Sequence, residues 1–350
     1  MKVGIVGFPG AGKTTIFNAL TGLHASVGGY ADAAKPNLGT IKVPDLRIDR
    51  LSAIFRPRKT TYAEIVFVDF PATPGERAAH ALDTAAIVQM RDAEALVQVA
   101  RGFSDPLTGE PPAPARDIDN FRSELILADL AVIEKRLDRL KKEKGKEREH
   151  ELLLRCKHTL DAEQPLRQFA LSPEEARSLA GFGFLSRAPL LVVVNVEEHD
   201  AASELPPEVT TVLARDQLVG IALSGKIEME VAALDAADRA AFLADLGITE
   251  PARDRFVRAA YELLDLISFL TAGEDEVRAW TIKRGTTAVK AAGKIHSDIE
   301  RGFIRAEVVH YDDFIIHGSE AKCRDAGKLR LEGKDYVVKD GDIIHFRFNV

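Results

Sequence analysis

Cysteine is scarce: Cys156 and Cys323 are the only two in 350 residues. Two thiols so far apart exclude a disulfide scaffold and a cysteine-rich metal site, and they suit a reducing compartment. An excess of basic charge is also missing. The 47 Lys and Arg stand against 54 Asp and Glu, a net charge of −7, so a nucleic-acid contact would need a local patch. No apolar run approaches the ~20 residues of a membrane span. The opening MKVGIVGF reaches Gly and Lys too soon for a signal peptide. No internal repeat is visible. What is present, 46% hydrophobic and 29% charged residues, describes a cytoplasmic multidomain α/β protein with no membrane partner.

Short apolar runs mark the strands. Lys2–Val6, Tyr62–Val68 ending at Asp69, Ala95–Val99, Leu190–Val194 ending at Asn195, and Val219–Leu223 read as buried strands separated by helical stretches. That rhythm predicts a parallel sheet with helices on both faces. One stretch breaks it. Ile126, Leu130, Ile133, Leu137 and Leu140 recur at spacings of 4, 3, 4 and 3, a coiled-coil seam, and Leu153, Cys156 and Leu160 continue it beyond the charged run around Gly145. The pattern predicts an antiparallel helical hairpin with an exposed charged tip. Residues 106–116 are Pro-rich and read as a loop. After about residue 267 short strands alternate with glycine turns, and the last strand places Ile344, Phe346, Phe348 and Val350 on one face. The expected division is a nucleotide-binding domain over 1–116 and 181–266, a helical insertion over 117–180, and a small α+β domain over 267–350.

Gly7-Phe8-Pro9-Gly10-Ala11-Gly12-Lys13-Thr14 fits the phosphate loop G-x-x-x-x-G-K-[ST] and lies between a strand and a helix. Glycines let backbone N–H groups curl around phosphate, and the following helix turns its positive end to the anion. Lys13 is assigned the β- and γ-phosphates, Thr14 a Mg²⁺ ion and Thr15 the α-phosphate. Asp69, ending a hydrophobic strand, suits the carboxylate that holds Mg²⁺; its bland alternative is a turn cap. Asn195-Val196-Glu197-Glu198 follows the strand LLVVV, where GTP-binding proteins of this fold carry Asn-Lys-x-Asp. Glu198 in place of that Asp, and Val196 in place of the Lys, alter the geometry that reads guanine. Base contacts are then expected from backbone and Asn195. Ser224-Gly225-Lys226 fits the loop that covers the base.

At this point the chain resembles the YchF / Obg-like ATPase family, P-loop translation-factor GTPases with a C-terminal TGS domain. GFPGAGKTTIFNAL, PNLGTIKVPDLRIDRL, the Asn-x-x-Glu tetrad, the hairpin's position, FLTAGEDEVRAWTIKRGTTAVKAAGKIHSDIERGFIRAEV and EGKDYVVKDGDIIHFRFNV carry the likeness over nearly the whole chain. It implies a P-loop parallel sheet, an inserted coiled-coil hairpin and a ubiquitin-like β-grasp module. It further implies ATP in preference to GTP, Mg²⁺, slow hydrolysis, and association with ribosomes or translation. Phe8, Pro9, Gly10, Ala11, Gly12, Lys13, Thr14, Thr15, Asn195, Val196, Glu198, Ser224 and Gly225 would line the nucleotide, with Lys13 the catalytic charge and Thr14 and Asp69 at the metal.

The departures are specific. Ala33 stands where the family has a switch-one Thr. Asp69-Phe70-Pro71-Ala72 lacks the switch-two Gly, and no histidine follows Phe103 where the family carries one. These favour an alternative, a nucleotide-binding module that neither switches nor hydrolyses. A small-molecule kinase is a further alternative that the hairpin and β-grasp module argue against. Trp280 with Arg278, Lys283 and Arg284 could meet RNA; residues from 280 onward hold 13 Lys and Arg against 11 Asp and Glu. His296 with Asp298 and Glu300 is too small a group for a metal site.

Overall fold

The computed structural model describes residues 2–23, 25, 36–70, 82, 84–248 and 250–349. Ala33, Pro71 and Ala72 lie outside them. Among the described residues, strands β1 (Lys2–Val6), β2 (Asn37–Lys42), β3 (Lys59–Thr61), β4 (Glu64–Asp69), β5 (Ala95–Gly102), β6 (Leu190–Val196), β7 (Val219–Leu223), β8 (Leu266–Thr271), β9 (Glu276–Lys283), β10 (Phe303–His310), β11 (Arg330–Glu332) and β12 (Asp342–Phe348) form two six-stranded sheets. Chain contacts define two compact units, residues 1–41 with 66–256, and residues 42–65 with 257–350. Residues 42–65, given to the nucleotide domain from the sequence, group with the C-terminal unit.

The first unit holds a sheet in the order β2-β4-β1-β5-β6-β7. Every pair from β4 through β1, β5 and β6 to β7 is parallel. The central strands β1, β5 and β6 are largely apolar because both faces are covered: Ile5, Val97, Leu191, Val192 and Val193 are fully buried. Helix α1 (Lys13–Thr21) follows β1 and buries Ile16, Phe17 and Leu20.

The hairpin is present. After α1, the helices α2 (Leu46–Phe55), α3 (Thr84–Met90) and α4 (Pro114–Leu140) follow in the chain, and α5 (Glu147–Asp161) completes the hairpin with α4. Ile126, Ile133, Leu137 and Leu140 of α4 share one buried cluster with Leu152, Leu153, Cys156 and Leu160 of α5, with Leu130 packed at its margin. Residues 141–148 form the exposed tip. Arg136 reaches across to Glu149 at 2.6 Å and to Glu143 at 2.8 Å. The seam also contains a carboxylate that periodicity hides. Asp129, fully buried, accepts from the backbone N–H of Leu185 at 2.9 Å and of Ser186 at 2.7 Å. Burial raises its pKa against those hydrogen bonds and against Arg91.

In the second unit the sheet order is β11-β10-β12-β8-β9-β3. β8 and β9 form an antiparallel hairpin, β12 runs parallel to β8, and β10 lies antiparallel between β12 and β11. A helix over Ala288–Ile295 follows the hairpin and buries Ala288, Ala291 and Ala292 against Phe269, Ile282 and Phe346. Hairpin, crossing helix and a final strand inserted beside the first make a β-grasp arrangement. β3 extends the far edge, parallel to β9. Residues 42–65 are tied in by charge as well. Arg47 bridges Asp45 and Asp340, each at 2.8 Å, and Asp340 also accepts from Ser268 N at 2.8 Å. On the last strand Ile344 and Phe346 are buried, while Phe348 is half exposed.

Candidate functional site

Three glycines of the loop between β1 and α1, Gly7, Gly10 and Gly12, have positive φ, and Gly7 and Gly12 are also closely hemmed in. Gly7 has φ +139°, and a Cβ there would lie 2.4 Å from the Val99 carbonyl oxygen. Gly12 has φ +86°, and a Cβ there would lie 2.3 Å from Asn195 Nδ2. Both positions combine a left-handed backbone with a neighbour that leaves no room. Phe8 is buried, its ring edge-on to Phe121 of α4 at 6.0 Å. Its side chain therefore anchors the loop in the core and leaves only its backbone for a ligand. No side chain caps the start of α1, whose N-cap is Gly12. Its first N–H groups are the ones a phosphate would satisfy.

Lys13 lies against the backbone of its own loop. Its Nζ donates to Gly7 O at 3.0 Å and Phe8 O at 3.1 Å. Burial lowers its pKa, and the charge of Asp69 opposes the shift. Thr14 and Asp69, the two residues assigned to the metal, lie side by side: Thr14 Oγ1 donates to Asp69 Oδ2 at 2.9 Å. Asn37 Nδ2, which the sequence did not single out, donates to the same oxygen at 3.2 Å. Asp69 Oδ1 is buried and has no hydrogen-bond partner among the described residues. Burial raises the Asp69 pKa, against Thr14, Asn37 and Lys13. A hydroxyl and a carboxylate with one oxygen unspent form a hard-oxygen donor set, which suits Mg²⁺.

Asn195 does something other than the expected base contact. Its Nδ2 donates to Ala11 O at 3.1 Å, and its Oδ1 accepts from Gly225 N at 3.0 Å. The buried amide therefore clamps the phosphate loop to the start of the helix over Gly225–Ala233. Val196 packs beside the buried Ala100, Val192 and Val194, so its side chain belongs to the apolar packing. Gly225 lies against Thr15 and Ile16 of α1. Ser224 is buried, and its Oγ has no hydrogen-bond partner among the described residues. Glu198 is half exposed and pairs with Lys226 at 3.1 Å.

The outlying candidates have structural employment. Trp280 donates through Nε1 to Thr271 Oγ1 at 3.0 Å, stacks with Phe269, and lies under the Arg278 guanidinium at 3.8 Å. His296 Nδ1 accepts from Asp298 N at 3.1 Å at the start of a short helix. Among the described residues no group of three His, Cys, Asp or Glu could hold a metal. Both cysteines are free and buried, and burial pushes Cys156 up to about 11.

Two family models match. One, described as "50S ribosome-binding GTPase", covers residues 2–135. The other, YchF-GTPase_C, "Protein of unknown function (DUF933)", covers residues 266–349. The chain is 40% identical over its full length to the Ribosome-binding ATPase YchF of Bacillus subtilis, and 100% of that relative is covered. The chain belongs to the YchF family. The YchF of Escherichia coli O157:H7 is 39% identical, with 100% of this chain and 99% of the relative covered. The solved Schizosaccharomyces pombe YchF GTPase matches with TM-score 0.88 and 29% identity, covering 99% of this chain and 97% of that one. The YchF fold is thus the fold of this chain, and among the described residues no helix is long and apolar enough to cross a membrane.

Proposed function

We propose that this YchF member binds a nucleoside triphosphate on the loop from Phe8 to Thr15, prefers ATP to GTP, hydrolyses it slowly with Mg²⁺, and acts at the ribosome in the cytoplasm. The observation that carries the site is the Thr14–Asp69 pair at 2.9 Å beneath a glycine-shaped loop, with the second Asp69 oxygen unspent. Thr14 and Asp69 would hold Mg²⁺, which when bound would offset charge on the β- and γ-phosphate oxygens. Lys13 exchanges two loop carbonyls for phosphate oxygens, in a dry setting where its charge counts for more than in water. The uncapped N–H groups of α1 receive the remaining phosphate charge. Ser224 and Gly225 line the base side.

The ribosome enters through the names that relatives carry. The exposed charged tip of the α4–α5 hairpin and the β-grasp unit, which the family resemblance makes a TGS domain, are the surfaces proposed for ribosome or RNA contact. Lys283 and Arg284 are better placed for that than Trp280, whose indole is already engaged. The non-switching reading rests on Ala33, Pro71 and Ala72.

Calorimetry of ATP, ADP, GTP and GDP with native protein and Lys13→Ala tests the site. Loss of a charge-assisted partner should weaken triphosphate binding by roughly 2–3 kcal/mol and leave the fold intact. Equal affinity in both proteins sinks the assignment. Mg²⁺-dependent phosphate release separates slow hydrolysis from none, and co-sedimentation with ribosomes tests the partner.

A further inference from the structure

The base side of the site holds an ion pair whose cation, Lys226, the nucleotide reading leaves without a role. Glu198 Oε1 and Lys226 Nζ lie 3.1 Å apart, with the two side chains 50% and 69% exposed. The pair joins the tetrad after β6 to the first turn of the helix over Gly225–Ala233. A cation in the first turn of a helix opposes the helix dipole, so helix stability does not account for Lys226 at that position.

Nearby side chains narrow what can read a base edge. Asn195 spends its carbonyl on Gly225 N and its amide on Ala11 O. Val196 is turned to the apolar packing. Glu198 and Lys226 remain as charged groups with exposed ends. Guanine offers N1–H and an amino group on that edge, both donors that a free carboxylate would accept. Adenine offers a lone pair at N1, which a free carboxylate repels and an ammonium attracts.

We propose that Lys226 is a specificity-determining residue of the base site: by engaging Glu198 it withdraws the anionic acceptor that would favour guanine, and so shifts selection toward adenine. This inference rests on the adenine-nucleotide reading above. The pair acts as a selector through a difference of affinities and adds little to total binding. An exposed ion pair is weak, so the selectivity at stake is about two- to fivefold.

The test is a cycle read by calorimetry with ATP and GTP on native protein, Lys226→Met, Glu198→Gln and the double variant. Lys226→Met should raise the GTP-to-ATP affinity ratio about two- to fivefold. In the Glu198→Gln background the same change should leave the ratio unmoved, because no carboxylate remains to be released. Raising salt should move the native ratio toward that of Lys226→Met, since salt screens exposed pairs, while leaving the variant's ratio flat. An unchanged ratio in Lys226→Met overturns the proposal and leaves ATP binding intact. An equal shift with and without the Glu198 carboxylate overturns it too, since Lys226 would then act without its partner. A native protein whose binding of either nucleotide does not depend on Lys13 overturns the parent reading, and this one with it.

Discussion

Removing the Asn195 side chain should loosen the phosphate loop from one side without touching the sheet. Its backbone stays in register between Arg101 of β5 and Leu223 of β7. Asn195→Ala deletes two hydrogen bonds at once, to Ala11 O at 3.1 Å and from Gly225 N at 3.0 Å. Both partner residues are buried, so each is left with an unsatisfied polar group, at about 1–3 kcal/mol for the N–H. The carbonyl of Ala11 adds a smaller cost of the same kind. At 1.4 kcal/mol per tenfold, the Gly225 amide should lose about five- to 150-fold of its hydrogen-exchange protection. ATP affinity should fall too, because the loop is no longer held in its binding shape. Asn195→Asp separates the two bonds. Its carboxylate still accepts from Gly225 N but faces the Ala11 carbonyl with no donor. Protection at Gly225 should therefore survive while ATP affinity falls. Unchanged protection at Gly225 in Asn195→Ala, or equal loss in both variants, refutes the clamp.

Asp69→Asn should abolish the Mg²⁺ dependence of nucleotide affinity, measured by titration with and without the ion. Because burial raises the Asp69 pKa, the protonated, non-ligating form takes over at a higher pH than for an ordinary Asp. Mg²⁺-dependent affinity should accordingly weaken as pH falls through that raised pKa, and Asp69→Asn should lack this dependence. Asp129→Asn keeps one acceptor for the two N–H groups of Leu185 and Ser186, so urea denaturation should show a loss of about 1–3 kcal/mol in the first unit. The raised pKa of Asp129 gives the opposite pH sign to a salt-bridged acid: its contribution is greatest below its unfolded pKa and is lost as pH rises through the folded one. Arg47→Ala frees Asp45 and Asp340 together, and the second unit should lose about 1 kcal/mol in guanidinium-induced unfolding.

Legibility in the sequence followed burial. β6 could be read because a strand covered on both faces is an apolar run, and the hairpin because its seam repeats every three or four residues over several turns. β2 (NLGTIK) and β3 (KTT) carry too few apolar residues to stand out, and α2 buries only Ile48 and Leu51. Asp129 sits one residue before Leu130 on the seam, so its chemistry depends on Leu185 and Ser186, far along the chain. The same limit applies at the site. Phosphate-loop spacing is local and identified Lys13 and Thr14. Asn37 reaches Asp69 only through the fold, and the tetrad showed that Asn195 mattered but not which groups it holds.

The path of residues 42–65 has a consequence for Asp69. The chain leaves the first unit at the last residue of β2, Lys42, and rejoins it within β4. Asn37 lies near the point of departure and Asp69 just past the return. The Asn37–Asp69 hydrogen bond at 3.2 Å therefore ties the two ends of the excursion together. β2 and β4 are also hydrogen-bonded neighbours in the sheet, so the Asn37–Asp69 bond adds a side-chain link to a strand pairing that already joins these ends. The excursion itself is held otherwise, by the Arg47 bridges and the β3–β9 ladder. Asp69 Oδ2 accepts from both Thr14 and Asn37. One carboxylate oxygen thus joins the phosphate loop's hydroxyl to the strand from which the chain departs, and any ligand that draws on Asp69 or Thr14 must act on that tie.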